Sequence, residues 1–218
     1  MRAIKGSKKW LQKLINEKPH LLDLKIKKEL NLPEDERIHW LSPLKENGYL
    51  EYGDQHFLDK LGIKLEKFPL ADFWPSRGPQ WDALAKSQRG NLFLVEAKSH
   101  IRELISTMKA KDEGSVKKIR KNLQETKCFL NSNIETDWSH GFYQYTNRLA
   151  HLYLLREKNQ LPAYLVFIYF INDVEMNGAK TINEWKSALK LLHSFLGIGG
   201  HKLQNFTADI FIDVSCLQ

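Results

Sequence analysis

Residues Ala163 to Ile171 read Ala-Tyr-Leu-Val-Phe-Ile-Tyr-Phe-Ile, an unbroken apolar run opened by Pro162. It is well short of the ~20 residues that a membrane-spanning helix needs. Read as a strand, it is apolar on both faces, so both faces must be covered. That requirement points to a layered α/β architecture, with helices on either side of a sheet. A chain of 218 residues, 42% apolar and 27% charged, supplies enough material for one such domain, or one with a small appendage, without disulfide staples.

The basic N-terminus (Arg2, Lys5, Lys8, Lys9) is not followed by an apolar stretch, because Gln12, Lys13, Asn16 and Glu17 interrupt it, so no signal peptide is expected. Only Cys128 and Cys216 occur, and no CxxC pair is present. This argues against a zinc cage or disulfide framework and fits a reducing, cytoplasmic compartment with no membrane partner.

Apolar spacing predicts helices over Ser7 to Glu17, Leu21 to Leu30 and Glu46 to Leu61, the last weakened by Gly53 and closed by Gly62. After the Pro- and Gly-rich segment Phe68 to Gln80 the period changes to two. Trp81 to Ser87 and Asn91 to His100 then read as strands joined by Gln88-Arg89-Gly90, with Gly90 free to take the left-handed conformation that a three-residue hairpin loop needs. In that register opposed residue numbers sum to 178 and Asp82 faces Glu96. A basic helix over about 115 to 131, a second from about Tyr143 to Arg156, a capped helix Thr181 to Leu196 and a strand Ala208 to Val214 complete the chain. The fold expected is α/β, a mixed central sheet flanked by helices. Residues 1–45 would be a helical N-terminal extension packed on a core of residues 46–218.

The net charge of +7 is unevenly spread: residues 1–67 carry +3, 68–160 carry +5 and 161–218 carry −1. The densest part runs from Lys109 to Lys127, and Val116, Ile119, Leu123 and Leu130 give it a helical apolar stripe. Lys117, Lys118, Arg120 and Lys121 then lie on the outer face. A solvated face is one reading; a surface that holds nucleic acid phosphates is the sharper one.

Alternation places Leu92, Leu94, Glu96, Lys98 and His100 on one side of their strand. Two carboxylates about 5 Å apart repel by about 3 kcal/mol at an effective dielectric near 20, so Asp82 opposite Glu96 calls for positive charge. Lys98 supplies part of it. A hard divalent ion such as Mg²⁺, which suits carboxylate oxygens, would supply more, and together these are parts suited to phosphodiester hydrolysis. A structural Asp, Glu and Lys cluster is the plainer alternative.

Asp82, then Glu96-Ala97-Lys98 ending an apolar strand, resembles the signature of the PD-(D/E)XK nuclease superfamily, and the element order from about Glu46 to Ile171 resembles its restriction-endonuclease-like core. Trp81 stands where the family motif has proline. The resemblance implies an endonuclease or exonuclease, acting on DNA rather than RNA, with Mg²⁺ as cofactor and Mn²⁺ able to replace it. It implies metal ligation by Asp82, Glu96 and the carbonyl of Ala97, and a catalytic ammonium at Lys98. A further acid from the first core helix would be Glu51 or, alternatively, Asp54. Gln144 and Arg148 stand near the place where some subfamilies have a glutamine followed four residues on by a tyrosine, and would contact substrate. Trp74 and Trp81 read as core or core-edge residues; because they flank the site, stacking on a base or sugar is the alternative. Two rivals keep the same residues: a nucleic-acid-binding module that does not cleave, and a protein-interaction domain with a structural ion cluster.

Overall fold

The computed structural model describes residues 1–132 and 135–217. The chain opens with helices α1 (Gly6–Glu17) and α2 (Pro19–Glu29). Pro19 begins α2, where a missing N–H breaks no helical hydrogen bond. Strand β1 (Ile38–Ser42), the short β2 (Tyr52–Gly53) and helices α3 (Asp54–Leu61) and α4 (Leu70–Phe73) follow, then strands β3 (Gln80–Trp81), β4 (Ala83–Ser87) and β5 (Leu92–Lys98). Helices α5 (Glu113–Phe129) and α6 (Tyr143–Tyr153), strand β6 (Ala163–Ile171), helix α7 (Ile182–Leu196) and strand β7 (Thr207–Asp213) complete it.

Five strands form one mixed sheet in the order β1-β4-β5-β6-β7. The pairs β1–β4 and β4–β5 are antiparallel, whereas β5, β6 and β7 run parallel. The apolar run is therefore an internal strand, and its two faces are covered by different layers. Val166, Ile168 and Phe170 pack with Phe93, Val95 and the α1 and α2 residues Leu11, Leu14, Leu22 and Ile26. Leu165, Phe167 and Tyr169 pack with Leu92, Leu94 and residues of α3, α5, α6 and α7, including Phe57, Leu123, Leu149 and Trp185. At roughly 1.5–3 kcal/mol for each large apolar side chain fully buried, this two-sided packing is the main force holding the layers together.

The hairpin between β4 and β5 has the register that the sequence predicts: Ala83 pairs with Val95, Leu84 with Leu94 and Lys86 with Leu92. Gly90 has φ +86°, and its N–H donates to the Ser87 carbonyl at 3.0 Å. The preceding strand is not continuous, however. It bends at Asp82, so that Trp81 and Gln80 leave β5 and pair with Tyr52 and Gly53 of β2. A Cβ on Gly53 would sit 3.0 Å from the Pro79 carbonyl oxygen, which is why glycine allows this close crossing.

Three sequence expectations need correction. Residues 46–61 are not one helix: only Asp54–Leu61 is α-helical, because Gly48 and Tyr49 take left-handed conformations and Tyr52–Gly53 is drawn into β2. The helix expected to reach Arg156 ends as α-helix at Tyr153 and widens into a π turn over Leu154–Lys158. Residues 1–45 are not helical throughout, since Ile38–Ser42 is the edge strand hydrogen-bonded to β4. Among the described residues no helix is long and apolar enough to cross a membrane.

Candidate active site

Glu96 and Lys98 lie two residues apart on one side of β5, at the end where β5 and β6 run parallel. Both are buried, at 2% and 8% exposure. Asp82 occupies the bend before β4, beyond the last paired residues Ala83 and Val95, where its carboxyl feels the Glu96 charge. Its own N–H donates to the Val95 carbonyl at 3.1 Å, while its Oδ2 accepts from the Ala97 N–H at 2.8 Å. No protein donor reaches Asp82 Oδ1 among the described residues, and Asp82 lines the largest cleft beside this cluster.

Helix α6 closes the cluster from above. Lys98 Nζ donates both to Glu96 Oε1 and, at 2.8 Å, to Gln144 Oε1. Arg148, one turn further along α6, donates from Nε to Glu96 Oε2 at 2.7 Å, with Nη2 2.5 Å from the same oxygen. Nη2 also donates to the Gln80 carbonyl at 2.8 Å and Nη1 to Asn147 Oδ1 at 3.0 Å. The guanidinium lies 4.7 Å from the Trp81 ring centroid, a cation–π contact. Each Glu96 oxygen thus has its own cation.

The two carboxyls are left in opposite electrostatic states. Burial pushes the Asp82 carboxyl up to about 7, and the neighbouring Glu96 charge adds to this against Lys98 and the Ala97 N–H. Burial pushes Glu96 the same way, but Arg148 and Lys98 outweigh it and hold the carboxyl below its usual range. The repulsion that the sequence implies is therefore met at Glu96 by two side-chain cations and left largely unmet at Asp82.

The cleft over Asp82 has a volume of about 850 Å³. Five cations line it (Lys8, Arg77, Lys109, Lys111, Arg148) against three acids (Glu51, Asp82, Asp112). Lys8 comes from α1, Arg77 from the loop before β3, and Lys109 and Lys111 from the approach to α5. Glu96 and Lys98 do not line this cleft; they sit in a small recess behind Arg148 and Gln144.

Glu51 also lines the cleft, but from extended chain before β2 rather than from a helix, and it pairs with Lys8 at 2.7 Å. Asp54 begins α3 and does not reach Asp82's partners; its oxygens accept from the Arg77 and Gly78 N–H groups at 2.9 and 2.7 Å and so hold the loop that leads to β3. From α5 only Ser115 and Ile119 reach the cleft wall. Lys117, Lys118, Arg120 and Lys121 lie outside it, with Lys118 donating to the Ala71 carbonyl at 2.7 Å and Arg120 3.8 Å from Asp137. Trp81 is fully buried, and Trp74, though it contributes to the cleft wall, is only 3% exposed, so neither offers a ring face to a base. His100 lies 3.4 Å from Glu103.

Sequence reasoning missed the cleft cations Lys8 and Arg77, because no local pattern ties α1 or the 75–79 loop to Asp82. Gln144 and Arg148, expected at substrate, line the cleft and are also bonded to the motif itself. The spacing of four residues beside a core stripe was the available signal that they share one inward-facing turn.

A divalent ion fits these residues in part. Asp82 lines the cleft, no protein donor reaches its Oδ1 among the described residues, and its raised carboxyl would gain from a nearby cation. Glu96 could join it only by giving up Arg148. Among the described residues no three His, Cys, Asp or Glu side chains gather as a metal-ligand cluster. Compared with models of protein families, with curated proteins and with solved structures, the chain matches none.

Proposed function

We propose that this chain is a divalent-metal-dependent nuclease that hydrolyses phosphodiester bonds, with DNA lying in the cleft over Asp82. The observation that carries the reading is geometric: Asp82 lines the cleft with only one of its oxygens bonded among the described residues, and the Glu96–Lys98 pair sits in the recess behind the cleft wall. A carboxyl raised by burial and a like charge gains from a nearby cation. When bound, a divalent ion supplies an activated water and neutralises charge on the scissile phosphate.

Asp82 and Glu96, with the Ala97 carbonyl that the resemblance adds, are the residues that would hold it. Lys98 is restrained by Glu96 and by Gln144, so its ammonium is fixed in place to orient the attacking water or stabilise the charge that develops on phosphate. Lys8, Arg77, Lys109 and Lys111 bind the flanking phosphates as point charges or forks, which positions a strand without reading its bases. The restriction-endonuclease-like assignment of the core belongs to this proposal.

The test is DNA hydrolysis in Mg²⁺ and in Mn²⁺ by the unaltered chain and by Asp82→Asn, Glu96→Ala and Lys98→Ala. Loss of cleavage in all three, with DNA binding retained, is expected. Unchanged cleavage in any of the three would remove the site. A non-cleaving nucleic-acid binder of the same fold is the second reading, and the Glu96–Arg148 pair favours it because it balances the Glu96 charge without metal. It predicts salt-sensitive DNA binding with no hydrolysis in either ion.

A further inference from the structure

We infer that Arg148 is a built-in competitor for the metal site: it occupies Glu96 in the resting protein, and a backbone phosphate entering the cleft draws it away, so that Glu96 becomes a ligand only when nucleic acid is bound. The inference rests on the nuclease reading above and names how the same site is regulated.

Three observations converge on it. First, Arg148 is the only side chain that both lines the cleft and bonds Glu96 among the described residues. Glu96 itself lies in the recess behind. Second, the guanidinium cannot share its site. Nε and Nη2 both approach Glu96 Oε2, while Lys98 holds Oε1, so both carboxylate oxygens are engaged. A cation shared by Asp82 and Glu96 would meet the like charge that Arg148 places on Glu96 Oε2. Third, the guanidinium has somewhere to go. It is buried, lying over the Trp81 face and bonded to the Gln80 carbonyl and Asn147 as well as to Glu96, but it lines the cleft wall, and a planar fork pairs with a phosphate as well as with a carboxylate. Swinging it onto a phosphate removes a positive charge from Glu96 at the moment a negative one arrives.

The consequence is an ordered assembly. In the absence of substrate Glu96 is silent and the metal is held weakly, by Asp82 alone. With substrate seated, the Arg148 charge moves to the backbone, and Asp82, Glu96 and phosphate oxygens can converge. Arg148 is then a positioning residue, acting through Glu96.

Calorimetric titration with Mn²⁺ alone tests the competition. Arg148→Gln is expected to bind Mn²⁺ about tenfold or more tightly than the unaltered chain, because one like charge is removed from Glu96. Mn²⁺ should also raise the melting temperature of the variant more than that of the unaltered chain. Equal Mn²⁺ affinity in the two proteins would overturn the inference. Binding of a labelled DNA duplex in EDTA across a salt series tests the phosphate partner: Arg148→Gln should lower the slope of log K against log salt by about 0.9, one phosphate contact. An unchanged slope would mean that Arg148 stays on Glu96 and would also overturn it. Should Arg148→Gln not fold, Arg148→Lys keeps the cation but not the fork and is expected to bind Mn²⁺ more tightly than the unaltered chain by a smaller factor; weaker or equal binding counts against the gate. Asp82→Asn separates the two levels. If it loses Mn²⁺ binding while Arg148→Gln gains none, the gate alone fails. If Asp82→Asn binds Mn²⁺ as the unaltered chain does, the nuclease site itself fails.

Discussion

A second carboxyl carries the same imbalance as Asp82, far from any motif. Asp209 lies on β7, and burial, with the charge of Glu29 added, pushes its carboxyl up to about 7. A raised carboxyl takes up a proton more readily in the folded chain than in the unfolded one, where its value is near 3.9. Its stabilising effect is therefore complete below about pH 4 and is lost as pH climbs to about 7, after which the curve flattens. Asp82 contributes a slope of the same sign over the same window. Buried His151 and His201, held neutral, add stability over much of the same window, so Asp209 is read by difference: in urea unfolding from about pH 4 to about pH 8, Asp209→Asn should gain stability relative to the unaltered chain as pH rises, by at most about 4 kcal/mol above pH 7. A difference that does not change with pH would place Asp209 in water. The sequence offered no warning of this, because an acid in the alternating segment Thr207 to Asp213 looks like one more solvent-facing position. It is half-buried instead, lining a cleft with Leu189 and His193 of α7 and lying beside Tyr169.

Among the elements, the β4–β5 hairpin was the most legible, and the reason is local. A loop of Gln88, Arg89 and Gly90 leaves little choice of register, and one glycine with φ +86° fixes the turn. Gly90→Ala puts a Cβ into a left-handed conformation with open space around it, so the cost is the backbone term alone, about 1–2 kcal/mol, with the register kept. Chemical denaturation would measure it; a larger loss, or loss of DNA binding, would mean that the register had slipped and moved Asp82 off Glu96. The elements that could not be read are those fixed by distant partners. Tyr52 and Gly53 look helical by apolar spacing, yet they pair with Trp81 and Gln80 across the bend at Asp82. Ile38–Ser42 is a strand because β4 offers it an edge. The same holds at the site. Asp82, Glu96 and Lys98 lie within one hairpin and were recoverable from it, whereas Arg148 on Glu96 depends on how α6 crosses the sheet, which no spacing within α6 encodes.

Across the whole molecule the lysine-dense stretch Lys109 to Lys127 is divided between two surfaces. Helix α5 carries Lys117 and Lys121 exposed to solvent, but Lys109 and Lys111, on the approach to it, share the cleft with Asp82. Lys8 reaches the same cleft from the opposite face of the sheet, because α1 is anchored by Leu11 and Leu14 and carries its polar edge to the rim. If polymer phosphates run through the cleft, their contacts are with Lys8, Arg77, Lys109 and Lys111, and α5 adds only long-range attraction, which salt screens within about 10 Å at 0.1 M. Lys109→Glu with Lys111→Glu should therefore lower the slope of log K against log salt by nearly 2 and weaken DNA binding steeply at moderate salt. Lys117→Glu with Lys121→Glu changes net charge by the same amount but removes no phosphate contact. It should mainly slow association at low salt and leave the slope nearly unchanged. Anisotropy titrations of a labelled duplex with both double variants distinguish the two surfaces. Equal loss from each pair would show that the whole basic face, rather than the cleft over Asp82, holds the nucleic acid.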